Sequence, residues 1–427
     1  MSSDSDEESG LRSGSDDDEA PIKRKRGGSE PGKAANLDRD FQAAHLRLWN
    51  DYFCENPTYP EKLFRRRNRM SRALFERLMG AVVEHDADFE QRVDAMGKKG
   101  LTPLQKCSTV VQMLVYGCAA DSLNDVVKGA ESTLLAYTKT FCRAVVEVFE
   151  EEYLREPTRD DIEQQLERSA ARGFPGYLGS LDCMHWVWEM CPTALKGQLS
   201  GKEGKPRVVL EVVADQRMWI SHFFFGCAGS NNDIYIIDWS PLVNHHVINH
   251  DLYDSFAYVA GGKEFHQLYY LVDGIYPPYA CFMATISRPN SQNEKLYAKR
   301  QESIRKNVER TFGVLRGKFR ILKLPSRIWY GKDMLYVMKA CVIIHNMIIE
   351  DEWGVPGLEE LTSANIDADL SSTSGVDDDG VNEDKAIDLQ EFIARKFNMQ
   401  STAANCELRS ALIENLWELE GARKNLR

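Results

Sequence analysis

The chain has 427 residues, of which 43% are hydrophobic and 28% are charged, as is typical of a soluble globular protein with disordered parts. No uncharged apolar run approaches the ~20 residues that span a bilayer, so we expect no membrane segment. The acidic, polar N-terminus argues against a secretory signal. The ten cysteines include no Cys-x-x-Cys pair, which favours a reducing compartment over a disulfide framework or zinc ribbon.

The net charge of −12 is unevenly distributed along the chain. Residues 1–20 carry −7 and residues 350–388 carry −12, which leaves +7 on the remaining residues. The body of the protein is therefore basic and lies between acidic flanks. A polyanionic partner such as nucleic acid is compatible with this distribution despite the low overall pI.

Residues 1–38 are rich in Ser, Asp, Glu and Gly. They contain too little apolar surface to offset the entropy of ordering, so we predict that this tail is disordered. Within it lies the basic cluster Lys23, Arg24, Lys25 and Arg26. Such a cluster is typical of a nuclear import signal, and a solvated charge cluster is the alternative.

Residues 39–170 have a helical pattern. Thr102 and the proline after it are typical of a helix start, and apolar residues recur at helical spacing up to Gly117. Ser132 is the predicted cap of a further helix, with a short piece at Leu123–Val127 between the two. Three helices joined by tight turns suggest a helix-turn-helix-like unit, although a plain helical packing domain explains the pattern equally well.

Residues 171–350 combine strand patterns with long helices, which predicts an α/β domain with helices on the faces of a sheet. The predicted strands and helices are Tyr177–Leu181, Val208–Val213, Trp219–Cys227, Tyr269–Val272, 292–317 and 332–349.

The C-terminal part is predicted to contain a mostly disordered acidic linker at 351–400 and a helix within 401–427. The helix is indicated by leucines at helical spacing between residues 408 and 419. We expect it to bind a partner or to dock on another part of the chain.

Three carboxylates occupy positions suited to catalysis. Asp182 and Asp273 each follow a predicted strand, and Glu309 lies in the first long helix. Acids gathered from separate elements repel one another unless a cation joins them, and hard oxygen ligands suit Mg²⁺ or Mn²⁺. Two such ions can clamp the attacking and leaving oxygens of a phosphodiester. The structural alternatives are a turn after each strand and an ordinary surface glutamate.

Residues 294–327 contain eleven Lys or Arg residues against three acids. Glu309 lies at the edge of the helix's apolar stripe, so it could reach a cation at the sheet while neighbouring basic residues meet phosphates. The alternative is a salt bridge between Glu309 and Arg305, four residues earlier. The predicted DNA-binding residues are Arg305, Lys306, Arg310, Arg316 and Lys318.

Histidines and cysteines offer weaker metal sites. His245 and His246 with His250 lack a suitably spaced fourth ligand. Cys183, His185 and Cys191 form a second candidate zinc site, but buried structural thiols explain the two cysteines better.

At these residues the sequence resembles the transposases of the PIF/Harbinger superfamily, in its plant-transposon-protein branch. The resemblance covers roughly residues 40–352. It rests on long, ordered and mutually spaced blocks, namely GSLDCMHWVWEMCP (179–192), VVLEVVAD (208–215), FFFGCAGSNNDI (223–234), YYLVDGIYP (269–277), KNVERTFGVLRGKF (306–319) and CVIIHNMIIEDE (341–352).

The resemblance implies an RNase H-like fold with a DDE triad formed by Asp182, Asp273 and Glu309. The last two acids are separated by 35 residues, the interval usual in that family. The resemblance further implies that Asp233 is an additional metal ligand and that two Mg²⁺ or Mn²⁺ ions are the cofactors. It also implies a separate Myb/SANT-like protein that assists DNA binding and nuclear entry.

The sequence therefore predicts a nuclear DDE transposase, or a nuclease derived from one, that cuts and joins DNA. A domesticated, non-catalytic nuclear adaptor with the same fold is the alternative from another class, and a metal-dependent nuclease that acts on RNA is a third. The expected partners are transposon-end and target DNA and the Myb/SANT-like protein. Whether the protein forms a homodimer stays open.

Overall fold

The computed structural model describes residues 39–201, 204–230, 233–248, 250–353 and 389–425. The predicted disordered tail 1–38, with the basic cluster Lys23, Arg24, Lys25 and Arg26, lies outside the described residues, as does most of the predicted acidic linker. The described residues from Asp40 onward form one compact unit.

The part before the sheet is helical, as the sequence predicts. Its helices are α1 Phe41–Tyr52, α2 Glu61–Asn68, α3 Arg72–His85, α4 Pro103–Tyr116, α5 Asn124–Val127, α6 Glu131–Tyr153 and α7 Arg159–Ala170. Short 3₁₀ turns lie at Ala87–Phe89 and Ala120–Leu123.

The predicted bounds of α4 are confirmed. Thr102 accepts a hydrogen bond from the backbone of Gln105, whose side chain bonds back to Thr102, and this reciprocal cap fixes the first turn. Gly117 ends the helix at φ 62°, a left-handed conformation that glycine adopts without strain. The predicted start of α6 at Ser132 is wrong, because the helix begins at Glu131 and its first backbone bond runs from Leu134 to Ala130 without a side-chain cap.

Five strands form the central mixed sheet in the order β3-β2-β1-β6-β7. Strands β1, β2 and β3 pair antiparallel, whereas β1 with β6 and β6 with β7 pair parallel. Strands β4 and β5 form a separate hairpin. The strand bounds are β1 Tyr177–Val187, β2 Arg207–Ala214, β3 Ile220–Ala228, β4 Tyr258–Ala260, β5 Lys263–Phe265, β6 Tyr269–Val272 and β7 Phe282–Ala284.

Strand β1 is longer than its apolar run predicts. The sequence places Asp182 at a strand end, but the strand continues to Val187 along β2. The alternating residues Met184 and Trp186 remain buried beyond the aspartate, so the pattern changes from continuous to alternating burial without leaving the sheet. Asp182 therefore lies within the central strand.

Short helices connect the later strands, and two long helices follow the sheet. Ser291 caps α12 through a reciprocal pair of hydrogen bonds with Glu294.

The region predicted to be a linker contains a helix, α14, and a 3₁₀ turn lies earlier in the chain at Arg320–Leu322. The bounds are α8 Thr193–Leu199, α9 Asp233–Trp239, α10 Pro241–Ile248, α11 His250–Tyr253, α12 Gln292–Lys318, α13 Gly331–Glu352, α14 Leu389–Met399 and α15 Thr402–Asn425.

The first helices and the sheet share a hydrophobic core. One cluster of buried residues runs from the early helices through β1, β2, α12 and α13. Asn346 on α13 connects the layers, because its amide donates to the carbonyls of Tyr153 and Ile220 and its oxygen accepts from the Ile220 amide. The predicted boundary after residue 170 therefore marks a change in secondary structure and not a separation of cores.

The C-terminal helix docks on the sheet domain. Leu408, Leu412 and Leu416 on α15 are buried in a second apolar cluster with strands β6 and β7. Asn405 donates to the carbonyls of Tyr279 and Phe282. Of the two destinations expected for this helix, docking on the same chain is the one observed. None of the described helices is long and apolar enough to cross a membrane.

Candidate active site

Strand β1 presents Asp182 on the face of the sheet that α12 covers. Ser180, two residues earlier, is fully buried and its hydroxyl donates to the carbonyl of Ile304 across 3.3 Å. Because side chains alternate along a strand, Asp182 projects from the same face as Ser180. The carboxylate of the central strand is therefore directed toward α12.

The register of two parallel strands relates the position of Asp273 to that of Asp182. Ser180 pairs with Leu271 across β1 and β6, and each aspartate follows its paired residue by two positions. Each aspartate thus lies two residues beyond a paired position on neighbouring strands, which are about 4.8 Å apart where they pair. The parallel pairing of β1 with β6, rather than a similarity of local sequence, places the two acids at corresponding positions beyond the paired residues.

A turn fixes the backbone after Asp273. The Asp273 carboxylate accepts a hydrogen bond from the Gly274 amide at 2.6 Å. The turn expected after this strand, the structural alternative to a catalytic role, is therefore present. The loop then carries Tyr276 to β1, where the hydroxyl lies 3.5 Å from the Cys183 sulfur. This contact holds the loop against the strand that bears Asp182.

Glu309 on α12 is linked to Asp182 on β1 by the side chain of Arg305. Arg305 Nη2 lies 2.7 Å from Glu309 Oε1, and Arg305 Nη1 lies 3.7 Å from Asp182 Oδ2. The alternative salt bridge between Glu309 and Arg305 is thus observed, but the same guanidinium also reaches across to the sheet. The two carboxylates lie more than 120 residues apart in sequence, and both pair with the guanidinium of Arg305.

The donor chemistry of these residues fits a hard divalent cation. Within the described parts of the chain, however, no three or more His, Cys, Asp or Glu side chains are grouped closely enough to hold a metal ion. Asp233 is the first residue of α9, and its side chain lies outside the described residues, as do those of His246 and His250. Of the predicted metal ligands, Asp182 and Glu309 are linked through Arg305, and Asp273 lies two residues beyond the pairing of β6 with β1.

The predicted DNA-binding residues divide into two groups. Lys306 and Arg310 are exposed on α12, and Arg316 is half-buried. Lys318 is buried and lies 3.8 Å from Glu352, and burial lowers its pKa to about 8. Lys318 is therefore withdrawn from the surface on which a phosphate backbone would lie, in contrast to Lys306 and Arg310. Arg305 forms ion pairs with Asp182 and Glu309.

The opposite face of the sheet carries a polar group that the sequence analysis missed. Glu211 on β2 pairs with Cys183 on β1 and is completely buried. It lies 3.0 Å from His222 Nε2 and accepts a hydrogen bond from the Ser240 hydroxyl at 2.5 Å. A glutamate inside the apolar run of β2 is the signal that could have indicated it.

Comparison with known proteins gives a family for the region that contains the site. Residues 151–355 match the family described as plant transposon protein, and residues 45–83 match a domain of unknown function. No curated protein and no solved structure matches the chain. The first match includes Asp182, Asp273 and Glu309, so the carboxylates lie in a region related to transposon proteins.

Proposed function

We propose that this chain is a DDE transposase of the PIF/Harbinger type, or a nuclease derived from one, that cuts and joins DNA phosphodiesters. One observation carries this proposal: Asp182 and Glu309 both pair with the guanidinium of Arg305, in a region that matches plant transposon proteins. The strand order and the mixed pairing of the sheet support an RNase H-like fold.

In this proposal Asp182, Asp273 and Glu309 hold two Mg²⁺ or Mn²⁺ ions, with Asp233 assisting. When bound, the ions supply Lewis acidity and charge stabilisation for in-line displacement at phosphorus. The protein positions the carboxylates through the Ser180–Ile304 contact and the turn at Asp273. A water molecule and then the freed 3′-hydroxyl of the DNA are the successive nucleophiles.

The DNA backbone is proposed to bind along the exposed side of α12. Lys306 and Arg310 are exposed there, one helical turn apart, and phosphate contacts by such residues hold DNA without reading its sequence. Recognition of transposon ends is assigned to the proposed Myb/SANT-like partner. Import into the nucleus is assigned to the cluster 23–26 and to that partner, and a homodimer remains compatible with the proposal.

A non-catalytic adaptor is the second candidate. Arg305 pairs with both Asp182 and Glu309, which gives these carboxylates a structural role that also suits a protein without catalytic activity. The adaptor predicts DNA or partner binding without strand cleavage. A nuclease that acts on RNA is the third candidate.

One assay separates these candidates. Matched DNA and RNA duplexes, the DNA bearing the element's own ends, are incubated with the full chain in Mg²⁺ or EDTA, with and without the Myb/SANT-like protein. Mg²⁺-dependent cleavage of DNA alone supports the proposal, and cleavage of RNA alone supports the third candidate. Binding to DNA without cleavage under every condition supports the adaptor.

A further inference from the structure

The guanidinium of Arg305 lies between two carboxylates that belong to different layers of the fold. Its side chain is 13% exposed, and those of Asp182 and Glu309 are 22% and 25% exposed. Charges that are mostly withdrawn from solvent interact more strongly than surface charges, because water and salt screen them less. Without a positive charge between them, either the Arg305 guanidinium or a metal ion, the two carboxylates would repel each other across the contact between β1 and α12.

Arg305 differs from its basic neighbours on the same helix. An exposed salt bridge between residues four apart contributes only about 0.3–0.5 kcal/mol. Arg305 adds a second contact, to Asp182 on the central strand, which a surface pair does not have. Lys306 and Arg310 are exposed, so neither takes the place of Arg305 between the carboxylates.

We infer that Arg305 is a positioning residue that serves as the resident counter-ion of Asp182 and Glu309 and competes with a divalent cation for their oxygens. This inference rests on the function proposed above, because it concerns the same carboxylates. The inference assigns Arg305 to the carboxylate site. While no divalent cation is bound, Arg305 is therefore not one of the residues that hold the DNA backbone.

The competition has a definite direction. A guanidinium about 5 Å from a divalent cation repels it, and even with water-like screening this repulsion weakens binding roughly tenfold. Removal of the positive charge should therefore tighten cation binding. The same removal should destabilise the cation-free protein, because both carboxylates then lose their ion pair with Arg305. A residue with a merely structural role would lower stability without tightening cation binding.

The test measures Mn²⁺ affinity and thermal stability, and neither depends on DNA cleavage. The full chain is titrated with Mn²⁺ while the free ion is followed by electron paramagnetic resonance, and Tm is recorded in EDTA. For Arg305→Gln we expect Mn²⁺ to bind at least about tenfold more tightly than to the wild type and Tm in EDTA to fall. Arg305→Lys keeps the charge and should keep the wild-type affinity. Arg305→Met, which retains the aliphatic stem, is the second neutral variant if the glutamine variant does not fold.

The outcomes separate this inference from the proposed function. If Mn²⁺ binds the wild type and the neutral variants equally, and Asp182→Asn weakens binding, Arg305 does not compete and the inference alone is overturned. Mn²⁺ binding that is absent from both the wild type and the neutral variants overturns the inference and also the metal site on which the proposed function depends. Tighter binding by the neutral variants but not by Arg305→Lys supports the inference.

Discussion

The hydroxyl group of Ser180 on the central strand donates a hydrogen bond across 3.3 Å to the backbone carbonyl of Ile304 on α12. This buried contact joins the helix to the strand close to the proposed site. One residue beyond Ile304 lies Arg305, and two residues beyond Ser180 lies Asp182, so the contact aligns the salt bridge that follows it. The geometry of the proposed site therefore depends on a residue that does not belong to it.

Ser180→Ala should lower the free energy of unfolding by about 1–2 kcal/mol, because it removes this bond and the partner of the Tyr177 hydroxyl. Denaturant unfolding followed by circular dichroism measures the change. The exposed Ser122→Ala is the control and should change stability by less than about 0.5 kcal/mol. Equal effects of the two substitutions would show that the Ser180 contact does not anchor the helix.

DNA affinity should depend on the exposed cations of α12. The double substitution Lys306→Ala with Arg310→Ala should weaken binding to all duplexes alike and lower the slope of log affinity against log salt by about two, because each phosphate contact contributes about one. Fluorescence anisotropy at several salt concentrations measures this slope. Lys263→Ala, a control on the β4–β5 hairpin, should leave it unchanged. An unchanged slope in the double variant would place the DNA elsewhere.

Lys318 makes stability depend on pH in a specific range. Burial lowers its pKa from 10.5 to about 8, so the folded state releases the proton more readily than the unfolded state. Below pH 8 the cost of the buried charge is fully present. As the pH rises from about 8 to 10.5 this cost is lost, and stability gains about 3 kcal/mol at about 1.4 kcal/mol for each unit of pKa.

Lys318→Met should remove this pH dependence and stabilise the protein at pH 7. Glu352 keeps a partner in the variant, because Arg65 lies 3.1 Å from it. The difference in unfolding free energy between variant and wild type, measured from pH 7 to 10.5, isolates the lysine from other titrating groups. The difference should shrink as the pH rises, and a constant difference would contradict the lowered pKa.

The elements that local chemistry determines could be predicted from the sequence. Thr102, Gln105 and Gly117 specify the two ends of α4 through caps that involve only neighbouring residues. The start of α6 could not be predicted from Ser132, because the chain enters that helix at Ala130 without a side-chain cap. The end of β1 was misplaced because an aspartate in a buried strand has the same local pattern as a turn.

Of the ion-paired group around Arg305, only one contact could be predicted from the sequence. The spacing of Arg305 and Glu309 on one helix predicts their salt bridge, but nothing local indicates that the arginine also reaches Asp182 on β1. The burial of Lys318 was missed for the same reason, because its interior position depends on the packing of α13 and on Glu352. Long-range packing, which single-sequence patterns do not contain, determines both.

The central claim is that Asp182, Asp273 and Glu309 act as one unit on a DNA phosphodiester. Its most direct test is the initial rate of Mg²⁺-dependent cleavage of DNA bearing the element's own ends, by the wild type and by Asp273→Asn, with equal folding verified by circular dichroism. We expect the variant to lose at least about a hundredfold in rate, because it lacks one of the oxygen ligands proposed to assemble the reacting groups. Equal rates of cleavage by the two proteins would contradict the assignment of the site.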